Sequence, residues 1–288
     1  MALSRFDLLP ADTAMGAVTL YADDLDLVTR FYRDAVGLEE ISHGIGAITL
    51  GRDGIPAMIL EHRPELSRAA QGSAGLFHTA LLFPTQQTLA QAVYRVATHF
   101  PGSFTGSADH LVSEAFYFDD PEGNGVELYW DRPRELWQRR GTEILMDTLP
   151  LPPQEFLSVH LGDAEVEPSG LGVGHVHLQV GDVEQARDFY VHTLGFEPTF
   201  MFGNQALFVS AGGYHHHMAM NTWRSRGAGW RSPTLGLGRV TIDLPDSNAL
   251  DQVRSRLRDR GFQSADDGLS VSVADPWGNS VVLTTASR

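Results

Sequence analysis

The chain repeats one supersecondary unit four times, and a repeat of that size restricts the fold more than any single motif does. Gly16-Ala17-Val18-Thr19-Leu20 leads to Phe31-Tyr32 and then Gly37, and Gly174-His175-Val176-His177-Leu178 leads to Phe189-Tyr190 and then Gly195. Ala17 to Phe31 and His175 to Phe189 are each 14 residues, and each glycine falls 20 after the same start. Both stretches predict a strand, an amphipathic helix of about ten residues, and further strands. Those strands are expected near Ala47–Leu50 and Ala57–Glu61, and near Ala206–Ser210 and His216–Asn221. A second pair carries Asp120-Pro121-Glu122-Gly123-Asn124 and Asp275-Pro276-Trp277-Gly278-Asn279, each before a strand, Gly125–Trp130 or Ser280–Thr284. In such turns Pro presets φ, while Gly and Asn tolerate positive φ. Upstream lie strand-then-helix patterns at His78–Phe83 with Thr88–Phe100, and at Arg239–Leu244 with Ala249–Gly261.

The expected fold is α+β: four βαβββ modules, starting near residues 16, 77, 174 and 238, that close in pairs into two half-barrel cups. The domain reading is an N-terminal half at 14–131, a connecting segment at 132–172, and a C-terminal half at 173–286. Trp137, Leu145 and Leu151 predict that the connector packs.

Composition narrows the chemistry. All 21 basic residues are Arg, so Schiff-base chemistry and the P-loop lysine are absent. With no Cys, thiolate nucleophiles, disulfides and thiolate metal sites drop out as well. The formal charge of -15 disfavours nucleic acid or an anionic membrane as partner. No segment approaches 18 apolar residues, and Met1–Ala14 lacks a secretory pattern, so a cytoplasmic location is expected.

Twelve His remain for hard chemistry. Aligning the first strands of the modules puts Ala17, His78, His175 and Arg239 at one inward position, and the last strands put Glu127 and Val282 at matching sites. Only modules two and three therefore carry ligand-type residues: His78, Glu127 and His175. Two His and one carboxylate with open positions suit non-haem Fe(II), and also Mn(II), one ion per chain. His177 shares the face of His175. The run His215-His216-His217 begins the last expected strand of module three, beside the same cup, and offers an acid/base group. Tyr117 and His110 precede the Glu127 strand, where a polar tip beside a metal would donate to a substrate oxygen.

These stretches resemble the vicinal oxygen chelate superfamily of glyoxalase I, antibiotic-resistance proteins and type I extradiol dioxygenases, over about residues 14–286. The match is nearest to CatE-type catechol-2,3-dioxygenases, through Gly75-Leu76-Phe77-His78, Asp109–Ala115, Asp120–Glu127, Ser210–His217 and Asn221-Thr222-Trp223. The resemblance implies an extradiol dioxygenase acting on a small aromatic diol and O2, with His78, His175 and Glu127 as ligands. It selects His216 as the acid/base group, because Ala219 then takes the family's small-residue position, and it gives Tyr117 and His110 to the substrate oxygens. His177, His215, His217, Asn221 and Trp223 are expected to border the substrate. Well-known two-domain members take all three ligands from the C-terminal half, where this chain has Arg239 and Val282. The triad thus requires module two to pair with module three. Alternative readings are a glyoxalase-like isomerase or lyase, a hydroquinone-cleaving dioxygenase, and a non-enzymatic binding or resistance protein. Self-association is compatible with all of them.

Overall fold

A computed structural model describes residues 8–141 and 143–285. Residue 286, expected to end the C-terminal half, lies outside the described residues. Module one comprises β1 (Ala14–Ala22), α1 (Leu25–Arg30), β2 (Glu39–Gly44), β3 (Ala47–Arg52) and β4 (Ile55–His62). Module two comprises β5 (Gly75–Leu82), α2 (Gln86–His99), β6 (Phe104–Asp109), β7 (Ser113–Asp119) and β8 (Gly125–Asp131). The connector holds β9 (Arg139–Arg140), β10 (Glu143–Ile144) and α3 (Pro153–His160). Module three comprises β11 (Gly172–Gln179), α4 (Val183–Arg187), β12 (Glu197–Phe202), β13 (Ala206–Ser210) and β14 (Met218–Asn221). Module four comprises β15 (Gly236–Leu244), α5 (Ser247–Asp259), β16 (Ser264–Asp266), β17 (Ser270–Ala274) and β18 (Ser280–Thr285).

The modules form two eight-stranded sheets, β16-β17-β18-β15-β1-β4-β3-β2 and β12-β13-β14-β11-β5-β8-β7-β6. Module one pairs with four and module two with three, the arrangement expected if His78, Glu127 and His175 are to meet. The joints are antiparallel, β1 on β15 and β5 on β11. Buried residues of both sheets and of α1, α2, α4 and α5 form one contiguous core.

The short first helix of modules one and three is not uniform. α1 and α4 run on into π-helical turns, Phe31–Val36 and Asp188–Leu194. These end at Gly37 and Gly195, with φ of 105° and 96°, a conformation that glycine adopts without steric cost. The arginines of the following modules cap these turns: Arg95 donates to the Ala35 and Val36 carbonyls, and Arg256 to those of Thr193 and Leu194.

Both Pro-x-Gly-Asn turns are built around their aspartate. Asp120 accepts the Glu122 and Asn124 N–H groups and the Asn124 side-chain amide, and Asp275 repeats the pattern with Trp277 and Asn279. Each also accepts the hydroxyl of the buried tyrosine of the preceding module, Tyr32 at 3.3 Å and Tyr190 at 3.0 Å. Because modules one and two, and likewise three and four, lie in different sheets, these bonds tie the two sheets together.

The connector packs, as expected. Trp137 and Ile144 are buried with Val112 and Tyr214, and Leu151 lies against the main core. Ile144, not Leu145, is the fully buried aliphatic of its strand.

Candidate metal centre

The antiparallel joint between β5 and β11 places His177 opposite His78 and His175 opposite Ala80, and parallel pairing puts Glu127 beside Ala80 on the other side. Ala80 is thus flanked by His175 and Glu127, while His78 follows the same face by the two-residue period. The alanine methyl leaves the space into which the three larger side chains converge. His78 Nε2 lies 2.9 Å from Glu127 Oε2, and His175 Nε2 lies 3.2 Å from the same oxygen. The three ligand atoms lie within 4.8 Å of one another. All three residues are buried.

Burial of charge would be costly here without compensation. Burial pushes the Glu127 carboxyl up, but His175 and His78 outweigh it and hold it well below its usual value. Burial pushes His175 down to about 4, against the opposing pull of Glu127. His78 Nε2 is buried and lacks a hydrogen-bond partner despite its approach to Glu127, and His175 Nδ1 is likewise unpaired. Metal coordination satisfies an orphaned imidazole nitrogen of this kind, and N,N,O donors with open positions fit Fe(II) or Mn(II).

A second group, His175, His215 and His216, also has nitrogens within 4.8 Å. Both His215 nitrogens are already engaged: Nε2 meets Asp131 Oδ1 at 2.9 Å, and Nδ1 meets His216 Nδ1 at 2.7 Å. It offers no carboxylate, and His215 does not line the cavity described next.

A cavity of about 650 Å³ opens over the triad. His78, Glu127, His175, His177, His216, Tyr117, His110 and Trp223 line it, so every expected metal and acid/base residue meets there. The His216 ring meets the His175 ring at 4.0 Å between centroids, tilted by 52°. Burial, with the neighbouring histidines adding to it, holds His216 and His177 well below the usual imidazole range. Tyr117 Oη lies 2.7 Å from His110 Nε2, and His110 Nδ1 donates to the Asp147 carbonyl at 2.7 Å. Burial, then Glu127, pushes the Tyr117 phenol well up.

Three residues expected at the substrate stand behind the wall instead. His215 points away, to Asp131. His217 accepts the Ala211 N–H through Nδ1. Asn221 is fully buried, and its amide donates to His177 Nε2 at 3.0 Å, fixing that ring. The physical reason for the histidines is local. β14 begins at Met218, not His216, because the turn at Gly212 and Gly213, with φ of 63° and 70°, is followed by irregular backbone. Strict alternation of side chains therefore does not extend through the run.

The sequence reading missed Asp131 and the aromatics Phe77, Phe200, Phe202 and Phe208. Asp131 follows Glu127 by four residues on one strand, and Phe200 and Phe202 are two apart, so period-two spacing held the signal.

In the other cup the matching positions make a different arrangement. Arg239 donates to Thr19 Oγ1 at 3.0 Å and to Glu61 Oε1 at 2.7 Å. Among the described residues no group of metal-ligating side chains forms there.

The sequence profile of the glyoxalase/bleomycin resistance protein/dioxygenase superfamily matches residues 14–128 and 172–283. The chain belongs to that superfamily. Within reach of this superfamily member, a protein of Bacillus subtilis (strain 168) named catechol-2,3-dioxygenase is 36% identical over 272 residues, covering 92% of this chain and 94% of that protein. Among solved structures, a candidate dioxygenase from Bacillus subtilis aligns with a TM-score of 0.66 at 14% identity, over 96% of this chain and 86% of that one. Glyoxalase I from Zea mays aligns with a TM-score of 0.57 at 15% identity, over 95% and 92% of the two chains. These two likenesses establish the superfamily fold and nothing finer.

Proposed function

We propose that the chain is an extradiol ring-cleaving dioxygenase: it inserts both atoms of O2 into a catechol beside the diol, giving a hydroxymuconic semialdehyde-type product. The carrying observation is the convergence of His78, His175 and Glu127, with an unpaired imidazole nitrogen, on an aromatic-lined cavity. The relative named catechol-2,3-dioxygenase supports the reading. The four electrons that reduce O2 come from the ring, so no external reductant is needed. His78, His175 and Glu127 would hold one Fe(II) or Mn(II), which when bound would supply a site where diol and O2 come together and exchange electron density.

The remaining roles belong to the chain. His216 takes and returns a proton at Nε2. Asp131 accepts from His215 Nε2, so with both rings neutral His215 Nδ1 accepts from His216 Nδ1, and His216 Nε2 carries the lone pair. Burial favours that neutral form. Tyr117 meets a substrate oxygen through its hydroxyl, and His110, held between Tyr117 Oη and the Asp147 carbonyl, fixes its orientation. His177, held by Asn221, and Trp223 border the ring and limit water.

The test is metal analysis of anaerobically purified protein, followed by O2 uptake and product absorbance with catechol. One equivalent of O2 consumed per ring opened is expected. A metal-loaded protein that binds catechol yet consumes no O2 would overturn the reading.

A further inference from the structure

The cavity is far larger than a bare catechol needs. A cavity of about 150 Å³ suffices for a benzene ring, and this one has about 650 Å³. Two aromatic walls use the excess, both running outward from the triad. On one side His78 meets Phe77 at 5.3 Å between ring centroids, and Phe77 meets Trp223 at 5.3 Å. On the other His216 meets Phe208 at 5.0 Å, and Phe208 meets Phe200 at 5.6 Å. Phe202 continues that face by the strand period. His177 touches Phe77, Trp223 and Phe208 and so bridges the walls.

At the mouth the aromatics are left open to water: Trp223 is 46% exposed and Phe202 55%. An apolar ligand extending along the slot would cover both, which is the ordinary meaning of exposed apolar surface rimming a cavity. The charges point the same way. Among the described residues no arginine lines the cavity, the chain has no lysine, and Asp147 adds a carboxylate to the wall. A carboxylated ring would enter without a counter-ion and lose its hydration.

We infer that this site selects uncharged catechols bearing a bulky apolar substituent, such as a second ring or a branched alkyl group, over both bare catechol and carboxylated catechols. The inference rests on the dioxygenase reading and deepens it.

The experiment compares kcat/KM by O2 uptake, and anaerobic affinity by calorimetry, for catechol, 3-phenylcatechol, 4-tert-butylcatechol and 3,4-dihydroxybenzoate. The better of the two apolar compounds should exceed catechol by at least about tenfold, the lower end of what one methylene commands in an apolar pocket. The carboxylate should fall at least about a hundredfold below catechol. Trp223→Ala should shrink the apolar preference, and Phe202→Arg should narrow the gap to the carboxylate. Both positions are exposed, and should either variant fail to fold, the wild-type series decides alone. Catechol matching or exceeding both apolar compounds, or the carboxylate matching catechol, would overturn the selectivity while leaving the dioxygenase standing. A protein that turns over none of the four brings down the dioxygenase reading, and the selectivity with it.

Discussion

Glu127 is the one carboxylate in the triad, and both histidine nitrogens approach the same one of its oxygens. Replacing it by Ala should lower metal affinity by more than about a hundredfold, beyond what loss of an outer partner costs; metal content after dialysis checks this, and full occupancy would remove Glu127 from the site. The three consecutive histidines should separate by role. His216→Ala should keep its metal while kcat falls by about 10² to 10⁴. His215→Ala acts only through the orientation of His216 and should cost less. His217→Ala should leave kcat near wild type and lower stability by about 1–2 kcal/mol, because the buried Ala211 N–H loses its acceptor. Steady-state kinetics beside urea unfolding distinguishes the three, and a dead His217→Ala with intact stability would reverse the assignment. The sequence made His78, His175 and Glu127 legible because a repeat aligns equivalent strand positions. It did not reveal that His215 faces Asp131, since that contact spans 84 residues and joins the two halves of the chain.

Among the elements, the turn aspartates carry the most. Tyr190→Phe removes one 3.0 Å bond from Asp275 and should cost about 1 kcal/mol. Asp275→Ala strips the acceptor from four donors and should cost about 3 kcal/mol. Urea midpoints read both, and equal losses for the two variants would show that the tyrosine bond alone matters. The two halves of this device stood in the sequence as separate repeats, Phe-Tyr and Asp-Pro-x-Gly-Asn, and nothing in their spacing says that they touch. Nor did spacing place the edge strands. β2 and β16 expose every residue, so neither has an apolar alternation to read. The π-helical turns escaped for a related reason: a segment of about ten residues is too short for its periodicity to separate one helical form from another.

Across the whole molecule, each sheet takes one module from each half of the chain. Covalent continuity through the connector should therefore be dispensable once folding is complete. A protease site introduced after Glu165 and cut in the native state should leave one particle that retains its metal, held by the β1–β15 and β5–β11 ladders. Size-exclusion chromatography before and after cutting tests this, and separation into halves would contradict it. The pairing was legible because residues of ligand type fell at the aligned inward positions only in modules two and three.

The nesting of module pairs also sets an order of events on the ribosome. The inner pair is contiguous, so the metal-site sheet is complete before the partner of β1 has been made. Thr19 waits for Arg239, its ladder neighbour 220 residues later. At about 5–20 residues per second, that is an interval of roughly 10–40 s. Throughout it β1 keeps an unpaired edge, open to any complementary strand, and the other sheet is finished only near the end of it, once β14 has been made. On a polysome the nearest such strand is β15 of the chain ahead, and capture there would give an exchanged dimer with two intact metal sites.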